Sequence, residues 1–177
     1  TADAVAALTL EALGGIMDAF NPRVMQVRPH VEQRATAENI RRILSGSQRV
    51  RTARGCKVQD ALSLRCIPQL HGAAKKTLHD ARRTVETEIN SCCDNPIIWP
   101  QTGEECAISA CNPDSSYVGI EMDSACIAAV SLAKMSERRN NRLIDGNLSG
   151  HPWFCANRPG LNSGLMIPQY TQAGLLN

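Results

Sequence analysis

The chain has 177 residues, enough to bury one sizeable core and to fit one domain. Nineteen basic residues against 17 acidic ones give a net charge of +2, and there are two each of Trp, Tyr and Phe. That balance gives no reason to invoke nucleic acid or an anionic membrane, and it leaves few platforms for base stacking. The eight cysteines, at Cys56, Cys66, Cys92, Cys93, Cys106, Cys111, Cys126 and Cys155, form no CxxC pair and no zinc-spaced His–Cys cluster. They read as free thiols of a reducing cytoplasm, most of them small buried apolar residues.

In chain order, Ala6, Leu10, Leu13, Met17 and Phe20 make a helical stripe. It predicts a helix from Ala2 to about Phe20, weakened at Gly14-Gly15 and ended by Asn21-Pro22. Pro29 suits the first turn of a second helix, which runs to about Leu44 and is closed by Ser45-Gly46-Ser47. Gln48–Ile67 reads as irregular and polar. From Pro68 onward Leu70, Ala74, Leu78, Ala81, Val85 and Ile89 recur at helical spacing, over about six turns. The other face of this third helix carries Lys75, Lys76, Arg82, Arg83 and Glu86.

Asp94–Asp114 reads as a loop with one short hairpin, from Ile97-Ile98-Trp99 and a turn at Thr102-Gly103. A fourth helix is predicted over Ser116–Leu143. Val118, Met122, Ala125, Ala129 and Leu132 form one stripe, while Ile120, Ile127 and Val130 point elsewhere. A helix apolar on more than one side belongs inside a bundle or in a subunit interface. Glu121 and Asp123 argue against a membrane span. Residues Asp145–Pro159 are turn-rich. The basic clusters Arg49, Arg51, Arg54 and Arg138, Arg139, Arg142 read as solvated or salt-bridged faces. The fold class is all-α, with long, roughly antiparallel helices and one irregular segment.

That segment reads VQDALSLRCIPQLHG over Val58–Gly72. Pro68 cannot donate a backbone hydrogen bond and biases Ile67 away from helix. An amide, a carboxylate and a guanidinium on such a segment are what a small zwitterionic substrate needs, and Arg65 can hold a carboxylate through two parallel hydrogen bonds. Taken alone, the stretch reads rather as a loop whose polar groups cap neighbouring helices.

Three further stretches bear on it. QDALSLRCIPQ resembles the QD-x-YS-x-R-x-x-PQ motif of the aromatic amino-acid ammonia-lyases, which include histidine, phenylalanine and tyrosine ammonia-lyases and related aminomutases. EINSCCDNP over Glu88–Pro96 resembles that family's EINS-x-x-DNP. SERR over Ser136–Arg139 and PGLNSGLM over Pro159–Met166 resemble two more family motifs, all in the family's order.

The resemblance implies a central helical bundle of a cytoplasmic homotetramer whose active sites draw on more than one subunit. It implies a carbon–nitrogen lyase that removes ammonia from a small α-amino acid, histidine-like or aromatic, or else an aminomutase. A methylidene-imidazolone electrophile, formed from Ala-Ser-Gly, takes up the substrate amine, and a tyrosine removes the β-proton. It also implies that Arg65 pairs with the substrate carboxylate, that Gln59 lines the same site, and that Asp60 fixes the loop.

Two positions depart from the family. Leu62 stands where the motif usually has tyrosine, and leucine can neither donate a hydrogen bond nor move a proton. Where histidine ammonia-lyases carry Gly-Asn-Phe-His-Gly, this chain has Cys111, Asn112, Pro113, Asp114 and Ser115, so only Asn112 is retained as a substrate-binding position. Leu62, Pro113 and Asp114 would line the pocket.

The three Ser-Gly pairs begin at Ser45, Ser149 and Ser163 and follow Leu44, Leu148 and Asn162, so no Ala-Ser-Gly occurs. The chain therefore reads as an internal fragment, residues 1–177, lacking the electrophile-bearing part, the upstream tyrosine and the C-terminal part, and inactive alone. The alternative is a non-catalytic helical assembly module. Other candidates are weaker. Ser149-Gly150-His151 reads as loop usage, and no GxSxG elbow accompanies it. His71 and His79 lie too far apart on one helix to share a metal, and His30 reads as a surface residue. No metal site is expected.

Overall fold

The computed structural model describes residues 1–50, 57–99 and 106–176. Helices dominate, and one two-stranded sheet is present among the described residues. The chain divides into two compact units: Thr1–Lys75 with Ala129–Asn177, and Lys76–Ala128.

In the first unit, α1 spans Ala2–Ala12. The predicted longer helix stops there because Gly14 adopts a left-handed φ of 58°. Phe20 still reaches the core, from a separate 3-10 turn at Met17–Phe20. A short helix that the apolar stripe did not signal, α2 (Pro22–Gln26), follows at once. Asn21 caps it, its Oδ1 accepting from the Arg23 backbone N–H at 2.9 Å, with Pro22 in the first turn. α3 covers Val31–Ile43, starting after Pro29, with exposed His30 at its N-cap.

The segment expected to be irregular contains a helical turn, α4 (Leu62–Arg65). α5 (Ile67–Glu88) then runs the predicted length. The core joins Ala6, Ala7 and Leu10 of α1, Phe20, Met25, Ala37 and Ile40 of α3, and Leu44, Leu64 and Ile67. Small side chains let these helices approach closely. At Gly72 of α5 a β-carbon would stand 2.6 Å from the Gln33 backbone nitrogen of α3, so this crossing needs glycine. The unit is completed by the second half of α6 (Ser116–Ile144), by α7 (Gly146–Ser149) and by α8 (Met166–Leu175). Ser149 and His151 serve the loop, as expected: Ser149 Oγ accepts from the His151 N–H, and His151 Nε2 contacts the Ala12 carbonyl at 3.0 Å.

The second unit holds the remainders of α5 and α6 and the expected hairpin. β1 (Ile97–Ile98) pairs antiparallel with β2 (Ala107–Ile108), Ile97 opposite Ile108. The predicted Thr102-Gly103 turn lies outside the described residues, as do Arg51, Arg54 and Cys56. Asn95 ties the hairpin base, its Oδ1 accepting from the Ala110 N–H at 2.8 Å and from Ser109 Oγ at 3.2 Å. The polar face of α5 is salt-bridged, through Lys76–Asp80, Arg83–Asp80 and Arg82–Glu86.

The cysteines correct the sequence reading. Cys66 is half-buried, but Cys92, Cys93, Cys106, Cys111, Cys126 and Cys155 are exposed. Most sit on turns, on the hairpin or on the outer side of α6, where no core is available to cover them. Among the described residues no helix is long and apolar enough to cross a membrane, and no cluster of three or more His, Cys, Asp or Glu could hold a metal.

Candidate functional site

Pro68 shapes the motif segment. It has no N–H to offer the Leu64 carbonyl, and the helix breaks at Cys66 into α4 and α5. Leu64 anchors the turn in the core. The same turn leaves Leu62 60% exposed and Arg65 half-buried. Asp60 fixes the segment just before the turn, as expected. Its Oδ2 accepts from the Ile16 backbone N–H at 2.5 Å, and its Oδ1 lies 2.7 Å from Lys57 Nζ. Gln59 is exposed on the same approach.

Three buried polar atoms here make no hydrogen bond among the described residues: Asp60 Oδ1, which is ion-paired with Lys57 instead, Arg65 Nε and Gln69 Oε1. No acidic side chain is paired with Arg65 among the described ion pairs. A buried donor left unpaired costs roughly 1–3 kcal/mol, so such an atom is notable where an external acceptor could satisfy it. Gln69, four residues after Arg65, belongs to the same cluster in the sequence but carried no assigned role there. Its place as the last letter of the motif was the available signal.

Beneath the turn lies a buried polar network that the sequence reading missed. His71 Nδ1 meets Asp3 Oδ1 at 2.9 Å, and His71 Nε2 meets Arg139 Nη2 at 3.1 Å. Arg139 Nε donates to the Ser63 carbonyl at 2.7 Å. Asp3 Oδ2 also accepts from Asn39 Nδ2 at 2.8 Å and from Lys75 Nζ at 2.5 Å, and Lys75 reaches Thr36 Oγ1 at 2.8 Å. A guanidinium only donates, so His71 Nε2 carries the lone pair and Nδ1 carries the proton donated to Asp3.

Burial pushes the Asp3 carboxyl upward, but the hydrogen bonds from His71, Asn39 and Lys75 outweigh it and hold the group well below the usual carboxylate range. Burial lowers Arg139, opposed by Cys66, and raises the Cys66 thiol, opposed by the Arg139 cation. The expectation of a solvated or salt-bridged face at Arg138, Arg139 and Arg142 is thus corrected at Arg139, which is buried. Its neighbour Glu137 is buried too, accepting from Gln169 Nε2 at 2.6 Å and paired with Arg138.

Asn112, Pro113 and Asp114 lie exposed in the second unit, whereas Gln59, Leu62 and Arg65 lie in the first. Asn112 Nδ2 donates to the Cys92 carbonyl at 3.2 Å. Asp114 Oδ1 accepts from the Ser116 N–H at 3.0 Å at the start of α6, and the bonds with Ser116 lower its pKa. Within their unit both residues do structural work. None of the Ser-Gly pairs fits the electrophile: each lacks the preceding alanine, and Ser149 Oγ is already committed to the Asp145 carbonyl at 2.9 Å.

The helical fold, the QD…R…PQ turn and the SERR arginine beneath it coincide with a family match along the whole chain. The model of the aromatic amino acid lyases covers residues 1–177, and the chain belongs to that family. It is 47% identical to a histidine ammonia-lyase of Caldanaerobacter subterraneus over 99% of its own length and 34% of that protein's. The chain thus spans about a third of the length of the curated relatives it matches. Among solved structures it is similar to histidine ammonia-lyase from Trypanosoma cruzi, with a TM-score of 0.87 at 34% identity, covering 99% of this chain and 32% of that one. It is also similar to tyrosine aminomutase from Streptomyces globisporus, with a TM-score of 0.89 at 30% identity, covering 99% and 37% respectively.

Proposed function

We propose that this chain is the carboxylate-binding and scaffold portion of a carbon–nitrogen lyase that eliminates ammonia from a histidine-like or aromatic α-amino acid. The observation that carries the reading is Arg65, whose buried Nε lacks a partner among the described residues, on a turn whose Ser63 carbonyl is bound by Arg139. A guanidinium so placed takes a planar carboxylate through two parallel hydrogen bonds, and it fixes the substrate's α-carbon for proton removal at the neighbouring carbon. Gln59, exposed just before the turn, supplies an amide to the same ligand, and Leu62 lies exposed on that turn.

In the complete enzyme a methylidene-imidazolone from Ala-Ser-Gly would supply the electrophile, and this chain contains no Ala-Ser-Gly. The complete enzyme is a cytoplasmic homotetramer in which the α6 bundle contributes the subunit interface. Identity to histidine ammonia-lyases supports elimination from a histidine-like substrate, and likeness to an aminomutase supports a related amine migration as the second reading.

The test is direct. The complete polypeptide carrying this segment and an Ala-Ser-Gly sequence is incubated with histidine, phenylalanine and tyrosine. Conjugated acrylate absorbance should grow with at least one, while the pure 177-residue chain gives none above background. Absence of turnover by the complete protein on all three, with neither acrylate nor β-amino acid formed, contradicts the reading.

A further inference from the structure

Ser63 and Arg65 share one helical turn, and the Ser63 carbonyl is spoken for from outside it. No backbone N–H of α5 takes this oxygen; Arg139 Nε does, at 2.7 Å. Arg65, by contrast, has a buried Nε with no partner among the described residues, so its orientation rests on the backbone of the turn rather than on a tether of its own side chain. Whatever fixes the Ser63 carbonyl therefore fixes the direction from which Arg65 leaves the chain.

Resting on the reading of Arg65 as the carboxylate ligand, we propose that Arg139 and His71 are positioning residues for it, joined in a buried brace from Asp3 through His71 and Arg139 to the Ser63 carbonyl. Every link has a set direction. Asp3 Oδ1 accepts from His71 Nδ1, which leaves Nε2 as an acceptor, and Nε2 takes one Nη2 proton of Arg139. The rigid guanidinium then aims Nε at Ser63. His71 and Arg139 are 2% and 5% exposed, so water does not compete for these bonds. A lysine at position 139 could reach one of the two acceptors but has no planar fork to hold both.

The brace is tested by steady-state kinetics on the complete lyase carrying Arg139→Lys, His71→Asn, His71→Gln and, as reference, Arg65→Ala. Glutamine keeps an acceptor where Nε2 stands, whereas asparagine keeps only the donor toward Asp3. Losing one such bond is worth roughly tenfold, so KM and the inhibition constant of the acrylate product should rise about that much in Arg139→Lys and His71→Asn. His71→Gln, which keeps the acceptor for Arg139 but loses the donor to Asp3, should raise KM less than His71→Asn, and kcat should change less than KM in all three. A loss of melting temperature with unchanged KM in Arg139→Lys and His71→Asn, while Arg65→Ala raises KM, overturns the brace.

If Arg65→Ala leaves KM unchanged, the carboxylate reading falls instead, and amide exchange on the 177-residue chain decides the brace by itself. His71→Asn should then strip protection from the Leu64, Arg65 and Cys66 amides but not from Ala37 and Ile40 in α3. Equal loss in both places contradicts it. Should the variants fail to fold, the Arg139 Nε–H of the unaltered chain remains readable. Slow exchange supports the brace, and exchange at the rate of a solvated arginine refutes it.

Discussion

His71 and Arg139 stand 68 positions apart in the chain and meet at a single contact, 3.1 Å from Nε2 to Nη2, deep beneath the motif turn. The contact requires a neutral imidazole with its proton on Nδ1. His71→Ala would leave Asp3 Oδ1 without its imidazole donor and Arg139 Nη2 without an acceptor, both in a buried setting. Breaking a buried charged network from one side typically costs about 3–5 kcal/mol. Urea unfolding of the 177-residue chain should show a loss of that order, whereas Ala substitution at exposed His79 should change stability by less than about 0.5 kcal/mol.

Asp3 gives the network a pH signature. Its folded pKa lies below its ordinary value of 3.8, because hydrogen bonds from His71, Asn39 and Lys75 exceed the opposing effect of burial. A depressed carboxylate adds stability that is fully present above its unfolded pKa and is lost as pH falls through the folded one. The advantage of the native chain over Asp3→Asn should therefore be flat from neutral pH down to about the ordinary carboxylate range, then shrink in more acidic solution. Parallel denaturation series of the two proteins read this out. An advantage that grew on acidification would contradict the assignment.

The helices were legible because apolar side chains recur at their period. Leu70, Ala74 and Ala81 gave α5, and Val118 through Leu132 gave α6, each to within a residue or two. The break after Ala12 was visible only as a weak spot, since a Gly-Gly pair is compatible with a crossing or with a turn. α4 escaped because four residues are too few to show a period. The motif placed Arg65, but Arg139 looked like one of three surface cations: nothing local reveals that its partners come from Ser63 and His71, both remote in sequence. The cysteines misled for the opposite reason, since a propensity for burial acts only where a core is at hand.

Leu62 offers a gain-of-function experiment. It precedes Arg65 by three residues on the same turn, and its exposed side chain cannot supply the hydroxyl that the motif normally carries there. A correctly placed acid–base or polar group is typically worth about 10²–10⁴ in rate. Leu62→Tyr in the complete enzyme should raise kcat, by tenfold or so if only part of that is recovered. An unchanged or lower kcat in folded Leu62→Tyr would show that this branch of the family does its chemistry without that hydroxyl.

Tyr117, Ile120 and Ile127 stand 74%, 68% and 70% exposed along the first half of α6. Apolar residues repeated along one helix at this exposure make a patch of the kind that marks an interaction surface. Light scattering of the 177-residue chain at micromolar concentration should give a mass above the 19.2 kDa monomer. Ile120→Asp with Ile127→Asp should return it to monomer, since charges in an apolar interface are costly. A monodisperse monomer before substitution would remove α6 from the proposed interface.

The central claim is that Arg65 holds the substrate carboxylate, and kinetics of Arg65→Lys and Arg65→Ala in the complete enzyme test it most directly, with melting temperatures taken on the same preparations. Truncating one side of a buried, hydrogen-bonded charge pair costs about 2–5 kcal/mol. Catalytic efficiency of Arg65→Ala should fall by roughly 30-fold to several thousandfold, with Arg65→Lys between it and the native enzyme, because lysine keeps the charge but not the fork. Melting temperatures should stay near the native value, since no hydrogen bond among the described residues is lost at Nε. Unaltered efficiency in a folded Arg65→Ala enzyme, or a large drop in melting temperature with activity intact, would contradict the account.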